Sequence, residues 1–209
     1  GTTYWTGTAW VNQGTEYWVS ATTSGALLSK AWIYNTLPSN TFTHGNSYRV
    51  YVKSVDKVSS PAANAQEPVS TKDFIYDIYQ PTSAVILPVN NGYYNNGGNA
   101  LSSITGTAVD SPAGITGNSV WVSVQEAGRP AWWNADASTF TAYSEYWSTA
   151  TVSGTSPLWS WTFSAPTLQD GVTYYARTYA QDTGGLAESA GTGKIFYYDI
   201  SKPTATVVC

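Results

Sequence analysis

The 209-residue chain has no methionine, one histidine and one cysteine. The cysteine, Cys209, is the last residue, so no disulfide forms within the chain. With His44 as the lone imidazole, neither a Ser-His-Asp triad nor a His-rich zinc site can be assembled. Charge is scarce as well: charged residues make up 11%, against roughly 25% in ordinary globular chains. Lys and Arg together number 9 and the formal net charge is −4, which argues against a nucleic-acid partner that would require a phosphate-neutralising patch. No stretch approaches the ~20 apolar residues that span a bilayer. There is no Asn-x-Ser/Thr sequon, and the opening residues do not read as a secretory signal peptide. The chain starts at Gly1 rather than Met, which is expected of a processed chain or a fragment.

Thr, Ser, Asn and aromatics stand where charge is missing, including 10 Trp and 16 Tyr. Thr, Tyr, Val and Trp suit pleated, half-buried surfaces. No segment keeps a helical period. These features predict an all-β protein, and the Lys-poor, hydroxyl-rich composition suggests an extracellular or cell-surface location.

The strongest signal is internal repetition. The segment Glu16-Tyr17-Trp18-Val19-Ser20-Ala21-Thr22-Thr23-Ser24-Gly25 returns as Glu145-Tyr146-Trp147-Ser148-Thr149-Ala150-Thr151-Val152-Ser153-Gly154. Trp32-Ile33-Tyr34 matches Trp159-Ser160-Trp161, and Asp56 matches Asp182. Phe74-Ile75-Tyr76-Asp77-Ile78, with Pro81-Thr82, matches Phe196-Tyr197-Tyr198-Asp199-Ile200, with Pro203-Thr204. The period is roughly 125 residues, far beyond the ~20–50 of solenoid repeats, so each unit is a whole domain. The expected frame is the last two-thirds of a unit at 1–78, a complete unit at 79–200, and the opening strand of another at 201–209. That frame suggests a window onto a longer array, or a subunit whose 201–209 segment is donated to a neighbour as a strand.

Within the complete unit, seven strands are expected at 84–87, 101–108, 119–125, 145–152, 158–163, 172–181 and 194–199, with the Asn/Gly-rich stretch 90–99 read as a turn. Alternation assigns Tyr174, Ala176, Thr178 and Ala180 to the inner face, together with Val120, Val122 and Val124. Trp159, Trp161 and Phe163 share a face too. In the earlier unit, Tyr48, Val50, Val52 and Ser54 take the inner places, with Trp32 and Tyr34 matching the tryptophans.

The segment Leu168-x-Asp170-Gly171-x-x-Tyr174 and its counterpart Phe42-x-His44-Gly45-x-x-Tyr48 resemble the tyrosine corner of immunoglobulin-like and fibronectin type III-like domains. The run Ile104-Thr105-Gly106-Thr107-Ala108-Val109-Asp110, followed by Val120-Trp121-Val122-Ser123-Val124, resembles tandem bacterial immunoglobulin-like repeats of large cell-surface or filament-forming proteins. The resemblance implies tandem β-sandwich domains with Tyr48, Tyr174, Gly45 and Gly171 as fold-determining corner residues. It also implies a structural role in a fibre or surface array, whose partners are copies of itself or adjacent repeats.

Several residues invite chemical readings. His44 aligns with Asp170 and is read as a turn residue rather than a catalytic base. Glu16 and Glu145 recur beside aromatics but show no second carboxylate of the kind a glycosidase needs, so they are read as structural. No enzyme is expected. Cys209 aligns with Leu87 and is read as a core or edge residue, with an intermolecular disulfide or a reactive thiol as the alternative. Asp56, Asp77, Asp182 and Asp199 cluster at unit ends, with Asp110 in a turn. They are read either as strand-end caps or as calcium ligands at domain junctions. Trp132, Trp133, Trp5, Trp10, Tyr93, Tyr94 and Tyr143 lie outside the inner-face positions. They are candidates for contact between domains or subunits, or for stacking on glycans or a receptor in an adhesin.

Overall fold

The computed structural model describes residues 2–26, 29–57 and 64–207. The described residues contain strands and turns and no helix, so nothing helical is long and apolar enough to cross a membrane. Two compact units divide the chain, 1–46 and 47–209.

In the first unit, β1 (Thr3–Trp5) pairs antiparallel with β2 (Trp10–Asn12), and β3 (Thr22–Ser24) with β4 (Ala31–Ile33). These ribbons are held largely by aromatic and polar contacts. Trp5 lies 5.6 Å from Trp10, and its indole N–H donates to the Tyr34 hydroxyl at 3.2 Å. The Trp10 indole donates to the Thr41 carbonyl at 2.5 Å. Trp32, expected on an inner face, is 49% exposed.

The second unit opens with β5 (Ser47–Val52) antiparallel to β6 (Ser70–Ile75). Eleven strands follow: β7 (Thr82–Leu87), β8 (Gly92–Tyr94), β9 (Ser103–Val109), β10 (Val120–Glu126), β11 (Ala131–Asn134), β12 (Thr139–Ala142), β13 (Ser148–Thr149), β14 (Thr151–Thr155), β15 (Leu158–Ser164), β16 (Val172–Ala180) and β17 (Lys194–Tyr198). One sheet has the order β14-β15-β9-β7. The other runs β12-β11-β10-β16-β17-β8, with β13 also paired to β10. Every pairing is antiparallel except β17 with β8, which is parallel.

The two sheets enclose one apolar core, the arrangement that period-2 sequences with one oily face require. From the first sheet come Val85, Ile104, Ala108, Trp159, Trp161 and Phe163. From the second come Tyr94, Val120, Val122, Val124, Tyr174, Ala176, Ala180 and Phe196. The inner faces expected for β10, β15 and β16 are all buried, Thr178 included. Trp161 fits only because Gly106 faces it across the β9–β15 ladder: a Cβ on Gly106 would stand 2.2 Å from the indole.

Other expectations are revised. The Asn/Gly-rich stretch holds β8, because Phe196, Tyr197 and Tyr198 offer a parallel edge to Gly92, Tyr93 and Tyr94. The strand expected at 145–152 is split: Glu145, Tyr146 and Trp147 precede the short β13, and β14 joins the opposite sheet. Two strands, β11 and β12, were not expected at all. The inner set of the earlier unit is not enclosed as its counterpart is: Tyr48 and Val52 are half-buried, Val50 is 38% exposed and Ser54 is exposed. The reason is that β5 and β6 form a two-stranded sheet of their own. Residues 201–207 form no strand and are exposed. Cys209, and with it the end of the expected 201–209 strand, lies outside the described residues.

Candidate metal centre

Three strand ends of the second unit converge at one pole. Asp77 follows β6, Asp110 directly follows β9, and Asp182 follows β16. One carboxylate oxygen from each lies within 4.8 Å of the other two. Asp110 and Asp182 are buried and Asp77 is half-buried.

Each acid is positioned by the turn that carries it. Asp110 Oδ2 accepts the Gly114 N–H at 2.5 Å, closing the loop after β9. Asp182 Oδ1 accepts the Leu186 N–H at 2.8 Å in the turn after β16. The two loops are tied together by Thr183, whose N–H donates to the Gly114 carbonyl at 2.9 Å and whose hydroxyl donates to the Ala113 carbonyl at 2.7 Å. Asp77 Oδ1 accepts the Tyr79 N–H at 3.0 Å, and Oδ2 accepts the Ala113 N–H at 2.9 Å, bringing the segment after β6 onto the same loop.

The electrostatics are unbalanced. Burial pushes the Asp110 carboxyl above its usual range; the Gly114 N–H opposes this, and the like charges of Asp77 and Asp182 add to it. Asp182 Oδ2 is buried with no hydrogen-bond partner among the described residues. At a separation of 4.8 Å and an effective dielectric of about 20, each carboxylate pair repels by roughly 3 kcal/mol, less where water screens Asp77. The arginines of this unit pair elsewhere: Arg49 with Asp73, Arg129 with Glu126, and Arg177 with Glu145. An all-oxygen donor set of this kind suits a hard cation.

Compared with protein-family models and with curated proteins, the chain matches none.

The remaining residues of interest are dispersed. Tyr174 is fully buried, and its hydroxyl accepts the Gln169 N–H at 2.8 Å, bracing the corner that Gly171 turns at φ 75°. Gly45 has φ 80°, and Tyr48 stacks on Phe74 at 5.5 Å. A second corner of the same build was missed in the sequence: the Tyr94 hydroxyl accepts the Val89 N–H at 2.8 Å. The motif Val89-x-x-Gly92-x-Tyr94 was its available signal, with Gly and Tyr spaced differently from the motif at 168–174.

Tyr94 is therefore a core residue and not a contact platform. Trp133 packs against the core and meets Phe140 edge-on at 5.2 Å, so it is a packing residue as well. Trp132 and Trp5 are half-buried and Trp10 is 39% exposed. Tyr93 is exposed and stacks on Tyr197, and Tyr143 is 90% exposed. Glu145 holds Arg177 at 2.9 Å, with the guanidinium 5.9 Å from the Trp147 ring, a structural engagement. Glu16 is exposed and His44 is half-buried. Asp56 accepts the Asn64 N–H, and Asp199 accepts the Ser201 N–H; neither belongs to the cluster of three.

Proposed function

We propose that the chain is a structural element of an extracellular fibre or surface array in which immunoglobulin-like domains follow one another head to tail. The observation that carries this reading is the tail–head contact at Asp77. By the sequence repeat, Asp77 ends one unit, yet its carboxylate accepts an N–H from the Ala113 loop at the head of the next. The same tail chemistry recurs one period later: Asp199 accepts the Ser201 N–H as Asp77 accepts that of Tyr79. Linkers at 77–81 and 199–203 end in proline, which keeps the preceding residue extended. Such joints are short and stiff, and function would come from length and rigidity, without a catalytic step. Electron microscopy of the native material should show long beaded filaments with one bead per repeat. Dispersed short particles would overturn the array.

Exposed Tyr93, stacked on the half-buried Tyr197, and exposed Tyr143 favour a second reading, an adhesin that stacks aromatics on glycans or a receptor. Glycan-array binding that disappears in Tyr93→Ala, Tyr143→Ala or Trp132→Ala would support it. Binding that none of these changes would remove it.

A further inference from the structure

We infer that Asp77, Asp110 and Asp182 form a calcium site that clamps the segment after β6 onto the loops at the head of the sandwich. The binding chemistry stands on its own geometry; its role as a stiffener of a joint rests on the array reading above.

Two independent observations point to a cation. The first is the convergence of three carboxylates, one from each of three strand ends, within 4.8 Å. The second is the Asp182 Oδ2 atom, which is buried and has no donor among the described residues. A buried carboxylate oxygen normally finds an N–H or a cation, because leaving it unsatisfied is costly. Here its carboxylate faces two further carboxylates.

The donor chemistry selects among cations. There is no imidazole and no thiolate in the cluster, which disfavours zinc and copper. Calcium accepts irregular sets of six to eight oxygens at about 2.3–2.6 Å, so ligands on opposite sides stand up to about 5 Å apart. Magnesium demands a near-ideal octahedron at about 2.0–2.1 Å and retains its waters. One Ca²⁺ would leave the cluster with a single net negative charge instead of three.

The site is also a staple in sequence terms. Asp110 and Asp182 come from the body of the sandwich, whereas Asp77 comes from the connection that enters it. A shared ion therefore couples the direction of that connection to the loops after β9 and β16. The alternative occupant of the gap is a proton shared between two of the carboxyls, which needs no metal and would leave the protein indifferent to calcium.

Terbium provides a direct probe, because the Trp159 indole lies against Gly114 in the Asp110 loop, 3.2 Å from where a Cβ would be, and can sensitise bound Tb³⁺. Titration of the metal-stripped chain should give saturable sensitised emission that Ca²⁺ displaces and Mg²⁺ displaces poorly. At 100-fold excess over Kd, Ca²⁺ should raise the Tm by about 5–10 °C relative to EDTA. Asp182→Asn and Asp77→Asn should each weaken binding by about tenfold or more. Asp77 lies on the connection, so its variant leaves the sandwich core intact. Asp110→Asn should invert the order of stability, with a Tm above the parent in EDTA and no gain from Ca²⁺. Identical Tm in Ca²⁺ and EDTA together with no displaceable emission would overturn the site, as would binding that Asp77→Asn and Asp182→Asn leave unchanged. Beaded filaments that ignore calcium would keep the array and discard the ion's role as a stiffener.

Discussion

Gly106→Ala is expected to destabilise the 47–209 unit by at least about 3 kcal/mol, enough to unfold a domain of ordinary stability. Gly106 sits mid-strand in β9, with β7 on one side and β15 on the other. An added Cβ would stand 2.0 Å from the Ala84 carbonyl oxygen and 2.2 Å from Trp161 Cζ2. Neither neighbour has a cheap way out. Ala84 belongs to the β7–β9 ladder, and Trp161 is 1% exposed with its indole N–H donating to the Thr107 carbonyl at 3.1 Å. Strand separation, indole ejection and loss of that hydrogen bond would occur together. Gly98→Ala is the control: nothing lies within 4 Å of its added Cβ, and a change within about 0.5 kcal/mol is expected. Urea unfolding followed by tryptophan emission measures both. A Gly106→Ala protein within 1 kcal/mol of the parent would mean that the indole seat is looser than this geometry allows.

Tyr174→Ala is expected to cost about 3–5 kcal/mol, and Tyr174→Phe about 1–2 kcal/mol. The ring is fully buried, stacked on Phe196 at 5.4 Å and tilted against Phe140 at 5.4 Å, so alanine leaves a cavity between two sheets. Phenylalanine keeps the packing and removes only the acceptor for the Gln169 N–H. Tyr94 gives the matching pair, bracing Val89 and meeting Phe196 edge-on at 6.0 Å. The double Phe variant should therefore be additive, because the hydroxyls serve separate loops. The double Ala variant should not be, because both rings lean on Phe196. Burial also pushes the Tyr174 phenol above its ordinary value. Its neutral form is favoured in the fold, so this contribution is complete below the unfolded value of about 10 and is lost as pH rises through the folded one. Tyr174→Phe should flatten that alkaline loss of stability; a parent and variant that fall in parallel above pH 10 would assign it to other groups.

The parts of the fold legible in the sequence are those where burial alone dictates the pattern. β10, β15 and β16 each keep one face in the core, and alternation of Val120, Val122 and Val124 or of Trp159, Trp161 and Phe163 reports it directly. β8 was hidden because it exists through a parallel partner more than a hundred residues away, and its own Asn and Gly residues signal a turn. The earlier unit shows the limit of periodicity. Tyr48, Val50 and Val52 alternate as their counterparts do, but alternation states which face is apolar and cannot state what stands opposite. The acids show a similar limit. Asp77 and Asp182 are visible in the sequence as unit-end residues beside Asp56 and Asp199, and Asp110 as a turn residue. Only the meeting of the β9 and β16 loops separates the clustered three from the other two.

The parallel pairing of β8 with β17 has a mechanical meaning. Tension applied through residue 79 at one end and residue 200 at the other loads the β7–β9 ladder first; once β7 yields, it pulls β8 toward its start and β17 toward its finish. In a parallel pair those directions are opposed along the strand axis, so the load is shear. The bond from Asn91 N–H to the Ile195 carbonyl at 2.7 Å and that from Asp199 N–H to the Tyr94 carbonyl at 2.9 Å would carry force at the same time as the β8–β17 ladder between them. An antiparallel closing pair pulled from one end would instead unzip one bond after another. The single parallel edge in this sheet thus makes shear, and not unzipping, the load that parts β17 from β8.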